Sequence, residues 1–195
     1  MSARVPLQRR EVVASLLTER DDWLVVSGLG SPTYDVAAAG DHEQNFYLWG
    51  AMGGAAMIGF GLASAQPKKS VVVITGDGEM LMGMGSLASI GIARPPNLTI
   101  IVLDNEHYAE TGMQASHTGV GVDLVAVAAA CGFEQSCAVA DMPGVLALRE
   151  SITARNGLCF ASVKIDTQPV ERVLPTRDGV YNKNRFRAAL GLLPG

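Results

Sequence analysis

Residues 71–80 read VVVITGDGEM. An apolar run bounded by Gly76-Asp77-Gly78 predicts a buried strand that ends in a tight turn. Glycines at such a strand end bring backbone N–H groups close to an anion, a phosphate above all. A carboxylate between the two glycines would repel that phosphate. A divalent cation makes the two compatible. Mg²⁺ takes a carboxylate oxygen on one side and phosphate oxygens on the other.

A second protein ligand is then expected at a neighbouring strand end. NLTIIVL (97–103) predicts that strand, and Asn105 follows it. The separation from Asp77 suits one helix and one return strand of a right-handed crossover. An asparagine supplies a neutral oxygen and adds no repulsion. Backbone carbonyls of the following loop could complete the set.

Working outward, LQRREVVASLLTER (7–20) reads as an amphipathic helix. WLVVS (23–27) reads as a strand, followed by a Gly-Ser-Pro loop at 28–32. Further strands are expected at 46–49, 70–75, 97–103 and 158–165. Helices are expected at 52–65, 80–93 (broken by Gly83, Gly85 and Gly91), 123–130, 143–155 and near 183–190. Alternating helices and near-continuous apolar strands predict an α/β fold, doubly wound, with a mainly parallel sheet covered on both faces. One domain is expected over 1–195, with its core at about 20–165 and a tail at 166–195. Ligands of such sheets bind at the carboxyl ends of strands. The stretches 27–30, 76–78 and 104–105 all fall there. A dinucleotide fingerprint is excluded locally, because Leu81 and Thr33 stand where its third glycine would be.

Composition narrows the classes. The chain has 195 residues, 48% hydrophobic and 17% charged, with net charge −4 and no basic run, which argues against nucleic-acid binding. The start, MSARVPLQRREVV, is charged and lacks the apolar core of a signal peptide. No residue from 44 to 67 is charged. Its glycines (Gly50, Gly53, Gly54, Gly59, Gly61) and few large aliphatics predict a closely packed Gly/Ala helix rather than a membrane span. Cys131, Cys137 and Cys159 have no metal spacing and read as reduced, buried thiols of a cytoplasmic protein.

Gly76-Asp77-Gly78 followed by IIVLDNEHY (100–108) resembles the diphosphate-binding signature of thiamine-diphosphate (ThDP) enzymes. There GDG is followed, after about thirty residues, by an Asn closing an apolar strand. The resemblance implies ThDP and Mg²⁺ as cofactors. Asp77, Asn105 and the His107 carbonyl would hold the metal. The N–H groups of Gly78 and Glu79 would reach the diphosphate, with Gly76 and Tyr108 beside it. Glu79 departs from the small residue common there, so only its backbone is implied. WGAMGGAAMIGFGLA (49–63) resembles the family's Gly-x-Met-Gly stretch. Met52 would wedge between the cofactor rings and Gly50 would offer its carbonyl to the aminopyrimidine. Taken alone, Met52 would read as core.

GEMLMGMGSLASIGIARPPNLTIIVLDNEHYAETGMQ (78–114) is similar to sulfopyruvate decarboxylase small subunits and to phosphonopyruvate decarboxylases. This implies a 2-keto acid decarboxylase acting on a small 3-substituted pyruvate. Where those enzymes tend to carry Thr-Ser-Arg, this chain reads SGLGSPTYD (27–35). His107 and His117 flank the loop expected over the cofactor, and His117 is the candidate for proton transfer. His42 reads as a surface histidine. The glutamate that activates the pyrimidine ring sits, in the family, on a separate pyrimidine-binding domain. A second subunit supplying it is therefore implied, in a hetero-oligomer. Two other readings stay open: a ThDP subunit of a 2-oxoacid oxidoreductase or other ThDP enzyme, and a non-catalytic ThDP-binding subunit.

Overall fold

The computed structural model describes residues 6–20 and 22–192. Six parallel strands form one sheet in the order β2-β1-β3-β4-β8-β7. They are β1 (Leu24–Ser27), β2 (Asn45–Tyr47), β3 (Val71–Gly76), β4 (Leu98–Asp104), β7 (Gln135–Val139) and β8 (Cys159–Lys164). Every residue of β1 and β4 is buried, as is all of β3 except Gly76, and this explains their unbroken apolar runs. Alternate side chains pass to opposite faces. Val25, Val72, Ile74, Ile101 and Val163 pack against α1 (Arg9–Leu17), α2 (Ser31–Ala38) and α7 (Met142–Ala154). Leu24, Val73, Ile100, Val102 and Phe160 pack against α3 (Ala55–Ala65), α5 (Ser86–Ala93) and α6 (Leu124–Ala130). A short α4 (Asp77–Met82) follows β3 directly.

The uncharged stretch at 44–67 holds only the 11-residue α3. Among the described residues no helix is long and apolar enough to cross a membrane. Gly59 of α3 lies so close to Val73 that an added Cβ would collide with that side chain, so the helix does lie tight on the sheet.

Several expectations are corrected. The loop expected at 28–32 ends early and the residues after it carried no assignment: Ser31–Ala38 form α2, with Pro32 in its first turn, where the missing N–H costs nothing. The helix expected from 52 starts at Ala55. The strand at 46–49 is shifted to Asn45–Tyr47. β7 was not anticipated: it is a half-exposed edge strand without alternation. The tail ends in α8 (Gly179–Ala189), longer than expected because Asp178 caps the N–H groups of Val180 and Tyr181. From β8 the tail runs past Trp49, whose indole donates to the Thr176 carbonyl at 2.9 Å, and Phe186 packs edge-on against Phe46 of β2. Of the three thiols expected to be buried, only Cys159 is; Cys131 is half-buried and Cys137 is exposed on edge strand β7.

The α1–α2 contact is ionic. Asp35 is fully buried and accepts from Arg9 at 2.5 Å and Arg10 at 2.8 Å. Removing one partner of a buried pair strands the other charge. Asp35→Ala should therefore cost about 3–5 kcal/mol of stability, read as a lower urea midpoint at unchanged m-value. A loss below about 1 kcal/mol would mean that water already screens the pair.

Candidate active site

The direction of winding reverses beside β1. α2 leaves β1 on one face and leads outward to β2, whereas α3 returns on the other face to β3. The connections that follow β1 and β3 therefore leave toward opposite faces, and a crevice forms at this switch point. A cavity of about 220 Å³ lies there. Its wall joins Leu29, Ser31 and Pro32 at the start of α2 to Gly76–Glu79 at the start of α4. Asn105, His107, Tyr108 and Glu110 close it from the β4 side, and Met52 closes it from the α3 side.

The structure thus brings together most of the residues singled out by sequence. Asp77 is the first residue of α4 and is only 3% exposed. Its Oδ2 accepts from the Ser116 hydroxyl and, at 3.2 Å, from the Thr118 hydroxyl. Among the described residues no lysine, arginine or histidine pairs with it. Burial pushes the Asp77 carboxyl above the usual carboxylate range; the Ser116 hydrogen bond opposes this and the nearby Asp104 charge adds to it. A buried carboxylate with no cationic side chain beside it is a candidate metal ligand.

Asn105 follows β4 and accepts the His107 N–H on Oδ1 at 3.0 Å, which fixes the turn. The next residues form a small hairpin, β5 (His107–Tyr108) with β6 (Gln114–Ala115). Ser116 N–H donates to the Glu106 carbonyl, so His107 and Ala115 face each other as a non-hydrogen-bonded pair. That leaves the His107 carbonyl outside the ladder. Asp77, Asn105 and this carbonyl are hard oxygen donors, and they match Mg²⁺ better than a soft metal. Among the described residues no cluster of three His, Cys, Asp or Glu side chains exists to hold a metal another way.

Gly78 packs under Tyr108: an added Cβ would lie 2.6 Å from the ring. Glu79 is buried, and its oxygens accept the N–H groups of Leu29 at 2.7 Å and Ala55 at 3.4 Å. Its side chain thus ties the β1 loop to the start of α3, which accounts for the departure from a small residue. Met52 is 42% exposed, so packing in the core is not its role. It stands with Gly78 and Tyr108 between the cavity and an adjoining groove of about 490 Å³. His117 is exposed on that groove, its Nδ1 3.2 Å from the Tyr108 hydroxyl. Gly50 lies on an exposed turn and lines neither hollow. His42 sits ahead of β2, near Leu17 and Arg20, away from the crevice.

Sequence reasoning missed Ser31, Glu110, Ser116 and Thr118. A helix start at Ser31 was signalled by Ser-Pro. Nothing in the spacing of Ser116 and Thr118 signalled their contact with Asp77.

A family model described as thiamine pyrophosphate enzyme, C-terminal TPP binding domain, matches residues 29–159. The chain is 42% identical over 111 residues to sulfopyruvate decarboxylase subunit beta of Methanocaldococcus jannaschii, covering 57% of this chain and 58% of that protein. It is 46% identical over 112 residues to phosphonopyruvate decarboxylase of Streptomyces viridochromogenes, covering 57% of this chain and 28% of that one. The matched region thus spans about three-fifths of the first relative and about a quarter of the second. Among solved structures, the ThDP-dependent 4-hydroxybenzoylformate decarboxylase of Rhodococcus jostii aligns with a TM-score of 0.69 at 22% identity, over 86% of this chain and 34% of that one. At that identity the likeness shows the fold alone. Fold, motif and family match agree, and this chain belongs to the thiamine pyrophosphate enzymes, through their C-terminal TPP-binding domain.

Proposed function

We propose that this chain is the metal- and diphosphate-binding half of a ThDP-dependent decarboxylase acting on a small 3-substituted pyruvate of the sulfopyruvate or phosphonopyruvate type. The observation that carries it is Asp77: buried, without a cationic partner, and heading a cavity that also holds Asn105, Gly78 and Met52. Asp77, Asn105 and the His107 carbonyl would hold Mg²⁺. The N–H groups of Gly78 and Glu79 would bind the diphosphate, as helix starts do. Met52 would set the angle between the cofactor rings. Bound ThDP supplies the electron sink for loss of CO₂ from a 2-keto acid. His117, at the groove and beside Tyr108, would carry a proton to or from the substrate. The activating glutamate would come from a pyrimidine-binding subunit, giving a hetero-oligomer. Free thiols fit a reducing, cytoplasmic setting.

The substrate class follows the relatives' names and is tested by assay. With the partner subunit, sulfopyruvate and phosphonopyruvate should release CO₂ far faster than pyruvate. Equal rates for all three would reject the 3-anionic substrate. Met52 has its own expected result. Met52→Ala should lower kcat about tenfold or more while leaving ThDP affinity nearly unchanged, because misorientation rather than binding is lost. Full turnover by that variant would remove Met52 from the active site.

A further inference from the structure

Asp104 closes β4 beside Lys164 at the end of β8, its register partner. It is 3% exposed and accepts from Lys164 Nζ at 2.7 Å and from Ser162 at 3.3 Å. Its other oxygen accepts the Thr118 hydroxyl at 2.8 Å and the Glu106 N–H at 3.1 Å. The same Thr118 hydroxyl lies 3.2 Å from Asp77 Oδ2 and 2.9 Å from the Ser116 hydroxyl. One hydroxyl thus stands between two buried carboxylates at neighbouring strand ends. The chain Lys164–Asp104–Thr118–Asp77 runs from a partly exposed ammonium to the candidate metal ligand.

We infer that Thr118, held by Asp104 and Lys164, is a positioning residue for the metal centre. This rests on the functional reading above. Ser116 donates to Oδ2 of Asp77, the single Thr118 proton is shared between that oxygen and Asp104, and among the described residues no side chain bonds Oδ1. The carboxylate is thereby held with one oxygen committed to the loop and the other left for a cation. Two hydroxyls also separate Asp77 from the second negative charge of Asp104, and Lys164 neutralises that charge. Without the Thr118 proton Asp77 would keep only the Ser116 hydrogen bond, and no donor would stand between it and Asp104. Partners of this kind set ligand orientation, and their loss costs 10–100-fold in metal affinity. The loop gains as well. Ser116 and Thr118 bracket His117, so the same contacts place its ring against Tyr108.

The test measures Mn²⁺ with ThDP by electron paramagnetic resonance, on the full chain in complex with its pyrimidine-binding subunit, and follows kcat and KM separately. Thr118→Val keeps the shape and removes the hydroxyl; Thr118→Ser keeps the hydroxyl and removes a methyl. The valine variant should bind Mn²⁺–ThDP about tenfold more weakly or worse, and the serine variant should stay within about threefold of wild type. A packing role would give the reverse order. Lys164→Met, at a side chain 43% exposed, should weaken binding about threefold and guards against misfolding of the valine variant. Binding by Thr118→Val within twofold of wild type would overturn the inference, as would an unaffected Lys164→Met if the valine variant fails to fold. Failure of the wild-type complex to bind Mn²⁺ with ThDP would instead overturn the functional reading, and this inference with it.

Discussion

Replacing Asp77 with alanine will remove Mg²⁺-dependent ThDP binding and leave the chain folded. The dissociation constant should rise at least about 100-fold, roughly 2.8 kcal/mol. The loss is large because, among the described residues, no cationic side chain pairs with the buried Asp77 carboxylate, so its charge is the one the cation would meet. Asn105 and a carbonyl provide neutral oxygens, which cannot replace the lost charge. The fold survives because the carboxylate is a burden without its metal. Burial already pushes its pKa upward, and alanine relieves that cost. Ser116 and Thr118 keep each other, and Thr118 keeps Asp104. Calorimetry with Mg²⁺ and ThDP, alongside circular dichroism, checks both halves. Undiminished, metal-dependent binding by Asp77→Ala would refute the assignment.

The second large effect is silence. The full chain alone should release no CO₂ above background, and the pyrimidine-binding subunit should raise the rate at least about 100-fold, the usual worth of a positioned acid–base group. The reason is the state of the glutamates. Glu79 and Glu110 line the cavity. Both carboxylate oxygens of Glu79 are taken by the N–H groups of Leu29 and Ala55. Glu110 lies 3.4 Å from Arg172. Glu106 pairs with Lys164 at 2.7 Å. Glu11 is exposed on α1, and Glu43 is exposed just ahead of β2, away from the crevice. None of these both lines the cavity and stands without a hydrogen-bond or ionic partner. The assay is CO₂ release from sulfopyruvate and phosphonopyruvate with Mg²⁺ and ThDP, with and without the partner. Robust turnover by the chain alone would reject the two-subunit account and direct attention to Glu110.

How much was legible in the sequence depended on which force sets each feature. β1, β3, β4 and β8 were legible because strands buried on both faces are mostly apolar. α2 was not: Gly28, Gly30 and Pro32 mimic a loop, and its buried face carries Asp35, a charge that only the distant Arg9 and Arg10 make tolerable. β7 escaped because an edge strand needs little apolar side chain. Asp77, Gly78 and Asn105 could be singled out because backbone geometry and the proposed metal chemistry restrict such positions to few residue types, and the structure places all three at one cavity. Ser116, Thr118 and Asp104 were not, since their contacts span loops of free length and leave no spacing to read. Met52 needed both sources. Its residue type suggested core, its motif suggested a cofactor, and its exposure between two hollows excludes the core.

If this chain grips a diphosphate through a cation held by Asp77 and Asn105, ThDP binding requires that cation. The most direct measurement titrates ThDP into the complex, first with Mg²⁺ and then with excess EDTA. Saturable binding in Mg²⁺ that vanishes in EDTA is the predicted result. Binding of equal strength in both would contradict the account.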